Sequence, residues 1–187
     1  MNKNLAEIAK VMSGYSFRGA VPANKNGRNK VIQVRDIDDI YLDSTSIETF
    51  SDIDKAVVKD GDILLAMRGT ESSGLKVDMV EGQKDQCMAS SSLCILRIAN
   101  NTVLPEYLLF YLGSSCGQQR LKSLLAGATV KTIVKKELAN LQIPIPSIRK
   151  QKQVIQIAKN IYKQQQLLSQ KNTLLAIVAD NIISTHS

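Results

Sequence analysis

From Ser147 to Ile183 the chain contains neither proline nor glycine, and the four residues before that stretch, Ile143-Pro144-Ile145-Pro146, contain two prolines. Each proline lacks a backbone donor and fixes φ, so whatever precedes it cannot run on as a regular element. Ser147 then stands as an N-cap, its hydroxyl placed to accept from an N–H of the first turn. Val154, Ile161, Leu168, Leu175 and Ile182 recur every seven residues, with Gln, Lys, Ala and Leu between them, which predicts one long helix. At about 1.5 Å per residue it measures on the order of 50 Å. That is too long to lie over a small domain with both ends covered.

The companion positions leave two registers open. Four residues on from each heptad position stand Ala158, Gln165, Asn172 and Ala179; three on stand Ile157, Gln164, Lys171 and Val178. Either stripe is apolar at its ends and polar in the middle, a pattern that weakens a coiled coil but fixes its register and partner. The five heptad residues are therefore expected to pair with another helix. Packing along the chain's own domain is the alternative use of the same stripe.

The 187 residues suit one domain with an appendage, here residues 1–146 followed by a helix of residues 147–187. Tryptophan is absent and only 4% of residues are aromatic, so Ile, Leu and Val must build the core. No apolar run reaches the roughly 18 residues of a membrane span, and the N-terminus has no apolar signal-peptide core. Cys87, Cys94 and Cys116 are odd in number and show no C-x-x-C spacing. Buried free thiols in a reducing cytoplasm are the expectation, rather than a disulfide or a zinc site.

The net charge of +7 is unevenly distributed. Residues 1–35 carry seven Lys/Arg and one acid, residues 36–85 five Lys/Arg and thirteen acids, and residues 113–171 eleven Lys/Arg against Glu137 alone. Localised basic excess is the footprint of a nucleic-acid binder, because neutralised phosphates release counterions. A lysine-rich solvated surface gives the same count. The acidic block implies that one face binds while another is kept away.

In chain order, Leu5–Val11 is spaced for a short helix or turn, and residues 13–19 form a loop with an aromatic pair and Arg18. Pro22–Lys30 reads as a basic turn centred on Asn26-Gly27. Strands are expected at 30–37, 63–67 and 92–98, with Tyr41-Leu42 starting another; Lys59-Asp60-Gly61-Asp62 is a turn and 68–74 a loop. Pro105 opens a helix to Leu112, Gly113 and Gly117 interrupt it, and it resumes from 118 to 125. A strand ending at Ile133, a short helix at 135–141 and a last strand at 142–143 complete the chain.

Several chemistries are excluded. His186 is the only histidine and stands beside the C-terminus, so no nucleophilic dyad has a base. Gly69-Thr-Glu-Ser-Ser-Gly74 is followed by Leu75 instead of the lysine that a phosphate-binding loop requires. No G-x-G-x-x-G stands at a strand-to-helix turn. An Asn-Pro-Pro-aromatic or Asp-Pro-Pro-aromatic methyltransferase motif is also absent.

Four blocks together carry a resemblance. They are Leu5-Ala-Glu-Ile8 with Ser13-Gly-Tyr-Ser-Phe17; Val58-Lys-Asp-Gly-Asp-Ile-Leu-Leu-Ala-Met-Arg-Gly69; Pro105-Glu-Tyr-Leu108 through Gly127-Ala-Thr129; and Glu137-Leu-Ala-Asn-Leu-Gln-Ile-Pro-Ile-Pro146 with Gln151 and the helix. In order and spacing they cover nearly the whole chain and resemble one half of the specificity subunit of type I restriction-modification enzymes. Arg149-Lys150, where an acidic residue usually precedes the glutamine, and Val134, where the block commonly has a small polar residue, depart from the pattern. The resemblance implies an α+β fold: a small mixed-sheet target-recognition domain followed by one long coiled-coil-type helix.

It also implies a non-catalytic, cofactor-free reader of one half of a bipartite site in double-stranded DNA. The helix would pair antiparallel with a second one, in a homodimer or within a longer chain, and dock methyltransferase subunits. Those partners, with a restriction subunit, would bring S-adenosylmethionine and ATP. Base readout wants Arg, Asn, Gln or Ser on rigid loops with phosphate-binding cations nearby. The candidates are Tyr15, Ser16, Arg18, Lys25, Arg28, Arg68, Lys76, Thr129, Lys131, Lys135 and Lys136. Of these, Arg18, Arg28 and Arg68 are placed to touch bases, and Lys25, Lys131, Lys135 and Lys136 to hold backbone. Tyr15 and Phe17 stack on bases or simply pack under their loop. The competing function is an assembly protein that acts through its helix and binds protein.

Overall fold

The computed structural model describes residues 1–19, 27–37, 41–42, 47–69, 74–82, 86–127 and 131–185. Lys25, Asn26, Thr129 and His186 lie outside the described residues. The elements are β1 (Asn2–Asn4), α1 (Leu5–Ile8), β2 (Ala9–Ser13), β3 (Asn29–Ile32), β4 (Phe50–Ser51), β5 (Ile63–Ala66), β6 (Arg68–Gly69), β7 (Val77–Met79), β8 (Cys87–Ala89) and β9 (Leu93–Ile98). They continue with α2 (Pro105–Gly113), α3 (Ser115–Ser123), β10 (Leu125–Ala126), β11 (Lys131–Ile133), α4 (Lys135–Ala139), β12 (Gln142–Pro144) and α5 (Ile148–Thr185). The architecture is α+β, several small sheets carrying a 38-residue terminal helix.

The largest described sheet has the order β2-β9-β5-β7 and is antiparallel throughout. Its central strands carry the continuous apolar runs Leu93–Leu96 and Ile63–Ala66, because both faces are covered there. Strand alternation divides them between two cores. Ile63, Leu65, Cys94 and Leu96 join Leu5, Ile8, Leu108, Leu112 and Leu138 on the helical side. Leu64, Ala66, Leu93 and Ile95 join Ile32, Ile37 and Ile47 on the other. That second side is closed by β4-β3-β8, in which β3 and β8 run parallel.

Local expectations are corrected at four points. Arg68–Gly69 is not loop: it is a strand edge held by β11, with Arg68 opposite Thr132 and Lys131 opposite Gly69. Gly117 does not interrupt a helix but lies inside α3, where a Cβ would stand 2.0 Å from the Tyr111 carbonyl oxygen. Glycine is required there by the close turn between α2 and α3. Cys116 is exposed, while Cys87 and Cys94 are buried free thiols. The strand expected at 30–37 is shorter, because Val34–Asp36 winds into a 3-10 turn.

The long helix begins where expected. The Lys150 N–H donates to the Ser147 hydroxyl at 3.5 Å, and the Gln151 N–H to the Ser147 carbonyl at 3.0 Å. Its first turns lie on α2 through Gln151, Ile155, Ala158, Lys159 and Tyr162, a spacing of three and four residues that makes one face. Gln151 is wholly buried. Its Oε1 accepts from the Leu104 N–H at 2.9 Å, and its Nε2 donates to the carbonyls of Thr102 at 2.8 Å and Pro146 at 2.9 Å. Two turns on, the Lys159 Nζ lies 3.6 Å from Glu106 and 5.8 Å from the centre of the Tyr41 ring. Burial works against the Lys159 charge, but Tyr41 and Glu106 outweigh it and raise the ammonium's pKa.

Beyond Gln166 the described side chains of α5 are all exposed. Replacing Gln151 by leucine strands two carbonyls and one N–H in a buried place. It is expected to lower unfolding free energy by about 2–3 kcal/mol in urea titration. A change within about 0.5 kcal/mol, the range of an ordinary surface substitution, would contradict the anchoring role.

Candidate functional site

Sheet register decides which charged side chains meet. Ser13 pairs with Cys94 and Ala66 with Leu93, so the C-terminal ends of β2 and β5 and the N-terminal end of β9 lie together. Val77 of β7 pairs with Leu65, and the Ala66 N–H donates to the Lys76 carbonyl at 2.9 Å, adding the start of β7 to the same end. From this end emerge Tyr15, Ser16 and Arg18 after β2, and Arg68 after β5. Lys76 enters just before β7, and Lys131 stands on β11 opposite Gly69. The Ile133 N–H donates to the Met67 carbonyl at 2.9 Å, which brings the start of α4, with exposed Lys135 and Lys136, beside them. Burial pushes the Cys94 thiol up to about 11, and nearby Lys135 pulls against that rise.

The centre of this end is rigid. The turn Ser90–Leu93 closes with a Leu93 N–H to Ser90 carbonyl bond at 2.9 Å. It is flanked by Gly14 and Tyr15, whose N–H groups donate to Leu93 and Ala89, and by the Met67 N–H, which donates to Ser92. A Cβ on Gly14 would stand 2.0 Å from the Ser90 carbonyl oxygen, so the approach admits only glycine. Tyr15 and Phe17 meet edge to face at 4.9 Å, and the Lys55 Nζ stands 5.9 Å from the Tyr15 ring centre. Both aromatics are half-buried. Arg35 follows β3 toward the same end, donating to the Thr49 hydroxyl at 3.0 Å. Asp36 there accepts from the Gln33 N–H and pairs with Arg35.

The opposite end of the sheet mixes acids with Lys10, Lys59 and Arg97. Asp62, at the start of β5, is buried and bound by Arg97 through two bonds, 2.8 Å from Nε and 2.6 Å from Nη2. It also accepts from the Lys59 N–H at 2.8 Å. These partners account for the Lys59–Asp62 turn, and the Asp62 bond raises the Arg97 guanidinium pKa. Glu7, Asp60 and Glu81 belong to this end by register.

Arg28 is not brought to the cationic end. It precedes β3 at the end opposite Ile32 and pairs with Asp52 at 3.9 Å, both side chains well exposed. The structure adds Lys55, Arg35 and the Ser90–Ser92 turn, which no motif marked. Their position depends on pairing across the chain, as in the Val57–Met88 bridge.

On α5 the five heptad residues are exposed, from 42% at Val154 to 58% at Leu168 and Ile182. This stripe borders the face that meets α2, since Ile161 lines a groove with Leu109 and Phe110 of that helix. Ala158 is half-buried against the chain's own domain while Ile157 is 61% exposed. At that turn the three-residue companion register is therefore the open one. Among the described residues no helix is long and apolar enough to cross a membrane, and no group of three or more His, Cys, Asp or Glu is placed to hold a metal.

Residues 1–176 match the family described as the type I restriction modification DNA specificity domain. A Methanocaldococcus jannaschii protein assigned as the MjaX type I restriction enzyme specificity subunit is 28% identical over 134 residues, covering 68% of this chain and 31% of that protein. The fold is similar to the HsdS subunit of Thermoanaerobacter tengcongensis, with a TM-score of 0.66 at 21% identity, over 92% of this chain and 39% of that one. A chain from a structural study of assembly and conformational transition in the type I R-M system gives a TM-score of 0.70 at 22% identity, over 90% of this chain and 39% of that one. The match thus spans well under half the length of each relative.

Proposed function

Since the chain belongs to the family of type I restriction modification DNA specificity domains, we propose that residues 1–146 read one half of a bipartite site in duplex DNA. The helix of residues 147–187 joins this unit to a second half and presents a docking surface to methyltransferase subunits, with a restriction subunit completing the complex. The chain itself contributes recognition and no catalysis, and it works in the cytoplasm. The observation that carries the reading is the cationic end of the β2-β9-β5-β7 sheet. Residues far apart in sequence, from Arg18 to Lys136, converge there on a hydrogen-bonded platform, with Asp60, Asp62 and Glu81 at the far end. Phosphate contacts hold and orient a duplex while rigidly presented side chains read base edges. Arg18 and Arg68 are the base-reading candidates, and Lys131, Lys135 and Lys136 hold backbone. Lys25 and Thr129 stay in the set on sequence grounds alone, and Arg28 is the weakest member because of its place beside Asp52.

The exposed stripe on α5 supports helix pairing by simple burial arithmetic. Each large aliphatic side chain removed from water is worth about 1.5–3 kcal/mol, and five such residues recur along one line. The partner helix is a second copy of this chain or the other half of a longer one.

Two outcomes test these assignments. Reversing Lys135 and Lys136 to glutamate should weaken binding to target and unrelated duplexes by a similar factor. It should also reduce the salt dependence of log K by roughly two, one for each lost phosphate contact. A loss confined to one sequence, in filter binding over a salt series, would mean that these lysines read bases. Leu168→Glu should abolish helix-mediated association while the domain melts normally, because Leu168 is 58% exposed and lies past the last half-buried position of α5. Undiminished association in sedimentation would remove the stripe from the interface.

A further inference from the structure

We propose that Gln118 is a positioning residue for DNA recognition: it latches the backbone at Leu75 and thereby sets where Lys76 stands. The proposal rests on reading the cationic end of the sheet as the DNA face. Arg68 and Lys76 flank one short excursion of the chain between β5 and β7. Its near end is fixed by backbone pairing, with β6 on β11 and the Ile133 N–H on the Met67 carbonyl. Its far end is held differently. Gln118 on α3 accepts from the Leu75 N–H through Oε1 at 2.7 Å and donates from Nε2 to the Leu75 carbonyl at 2.9 Å.

One amide thus engages both backbone groups of one residue, which is how a residue on a neighbouring antiparallel strand bonds its partner. Gln118 supplies from a helix what an adjoining strand would otherwise supply. A third bond, from Nε2 to the Leu112 carbonyl at 2.8 Å, uses an acceptor near the C-terminal end of α2 and fixes which way the amide points. The Leu75 side chain is itself buried in the helical core. The latch therefore ties the excursion to α2, α3 and the core at the residue adjoining Lys76.

Gln118 touches no DNA in this scheme. Its effect passes through the backbone, since recognition side chains must be held to within roughly half an ångström to discriminate between bases. Asparagine is one methylene too short to reach both groups of Leu75. Methionine has the length and volume of glutamine but neither the donor nor the acceptor strength.

The experiment selects bound duplexes from a randomised pool with the full chain, alongside thermal melting. Q118M and Q118N are expected to keep their affinity for bulk duplex and its salt dependence. Their preference for the best duplex over unrelated ones should fall about tenfold, the order of one good base contact. Lowered melting with selectivity unchanged in both variants would make Gln118 a stabilising residue only and overturn the proposal. Should Q118M fail to fold, Q118N and Q118E carry the same comparison, and parental selectivity in both overturns it equally. If the parent itself enriches no sequence, the reading as a DNA reader falls as well. An enriched parental sequence retained by the variants removes the latch alone.

Discussion

The buried amide of Gln151 is the joint on which the arrangement of this molecule depends. Pro144 and Pro146 end the last strand, so the chain between domain and helix carries little pairing of its own. Gln151 replaces that pairing with three bonds in a dry environment, where each is expensive to leave unmade. The Lys159–Glu106 pair and the packing of Ile155 and Tyr162 then fix the helix direction at a second point. Leverage makes this consequential. About 20 residues extend past the last contact, on the order of 30 Å at 1.5 Å per residue. A change of ten degrees at the joint would move the tip by roughly 5 Å on that length. Under the proposed function, in which the helix joins two DNA-reading halves, such a joint is needed.

The second organising constraint is electrostatic. Antiparallel pairing of β2, β9, β5 and β7 directs the connections into two groups at opposite ends. Arg18, Arg68, Lys76, Lys131, Lys135 and Lys136 stand at one end, and Asp60, Asp62 and Glu81 at the other, where Arg97 binds Asp62. An elongated charge separation of this kind orients a polyanion before contact and disfavours its approach from behind. Of the acids in residues 36–85 that the structure describes, Asp60, Asp62 and Glu81 belong to the far end, and Asp36 and Asp52 stand in local pairs with Arg35 and Arg28.

The parts of the fold legible in sequence were those with a dense local signal. Proline punctuation, an N-cap and a long heptad period marked α5, and apolar runs marked β5 and β9. The polar strand Asn2–Asn4 carried no such signal; its partner is Gln142–Pro144, at the other end of the domain sequence. Arg68–Gly69 is a strand only because β11 lies beside it. Gly117 looked like a breaker because the sequence does not reveal the Tyr111 carbonyl pressed against its Cα. For the site, charge and residue type identified most of the cations at the sheet end. Register alone separates Arg28 from them and adds Lys55. Gln118 and Gln151 are further still from legibility, since glutamine is common on surfaces and only the surrounding backbone makes these two into joints.

The central claim is that the cationic sheet end is the DNA face. Hydrogen exchange of the chain with and without a duplex carrying its selected target tests it most directly. The account predicts slowed exchange at residues 13–18, 66–69, 74–77 and 131–136, with residues 59–62 and 97–106 unchanged. Protection centred on the Asp62–Arg97 end, with the cationic end unaffected, would contradict it.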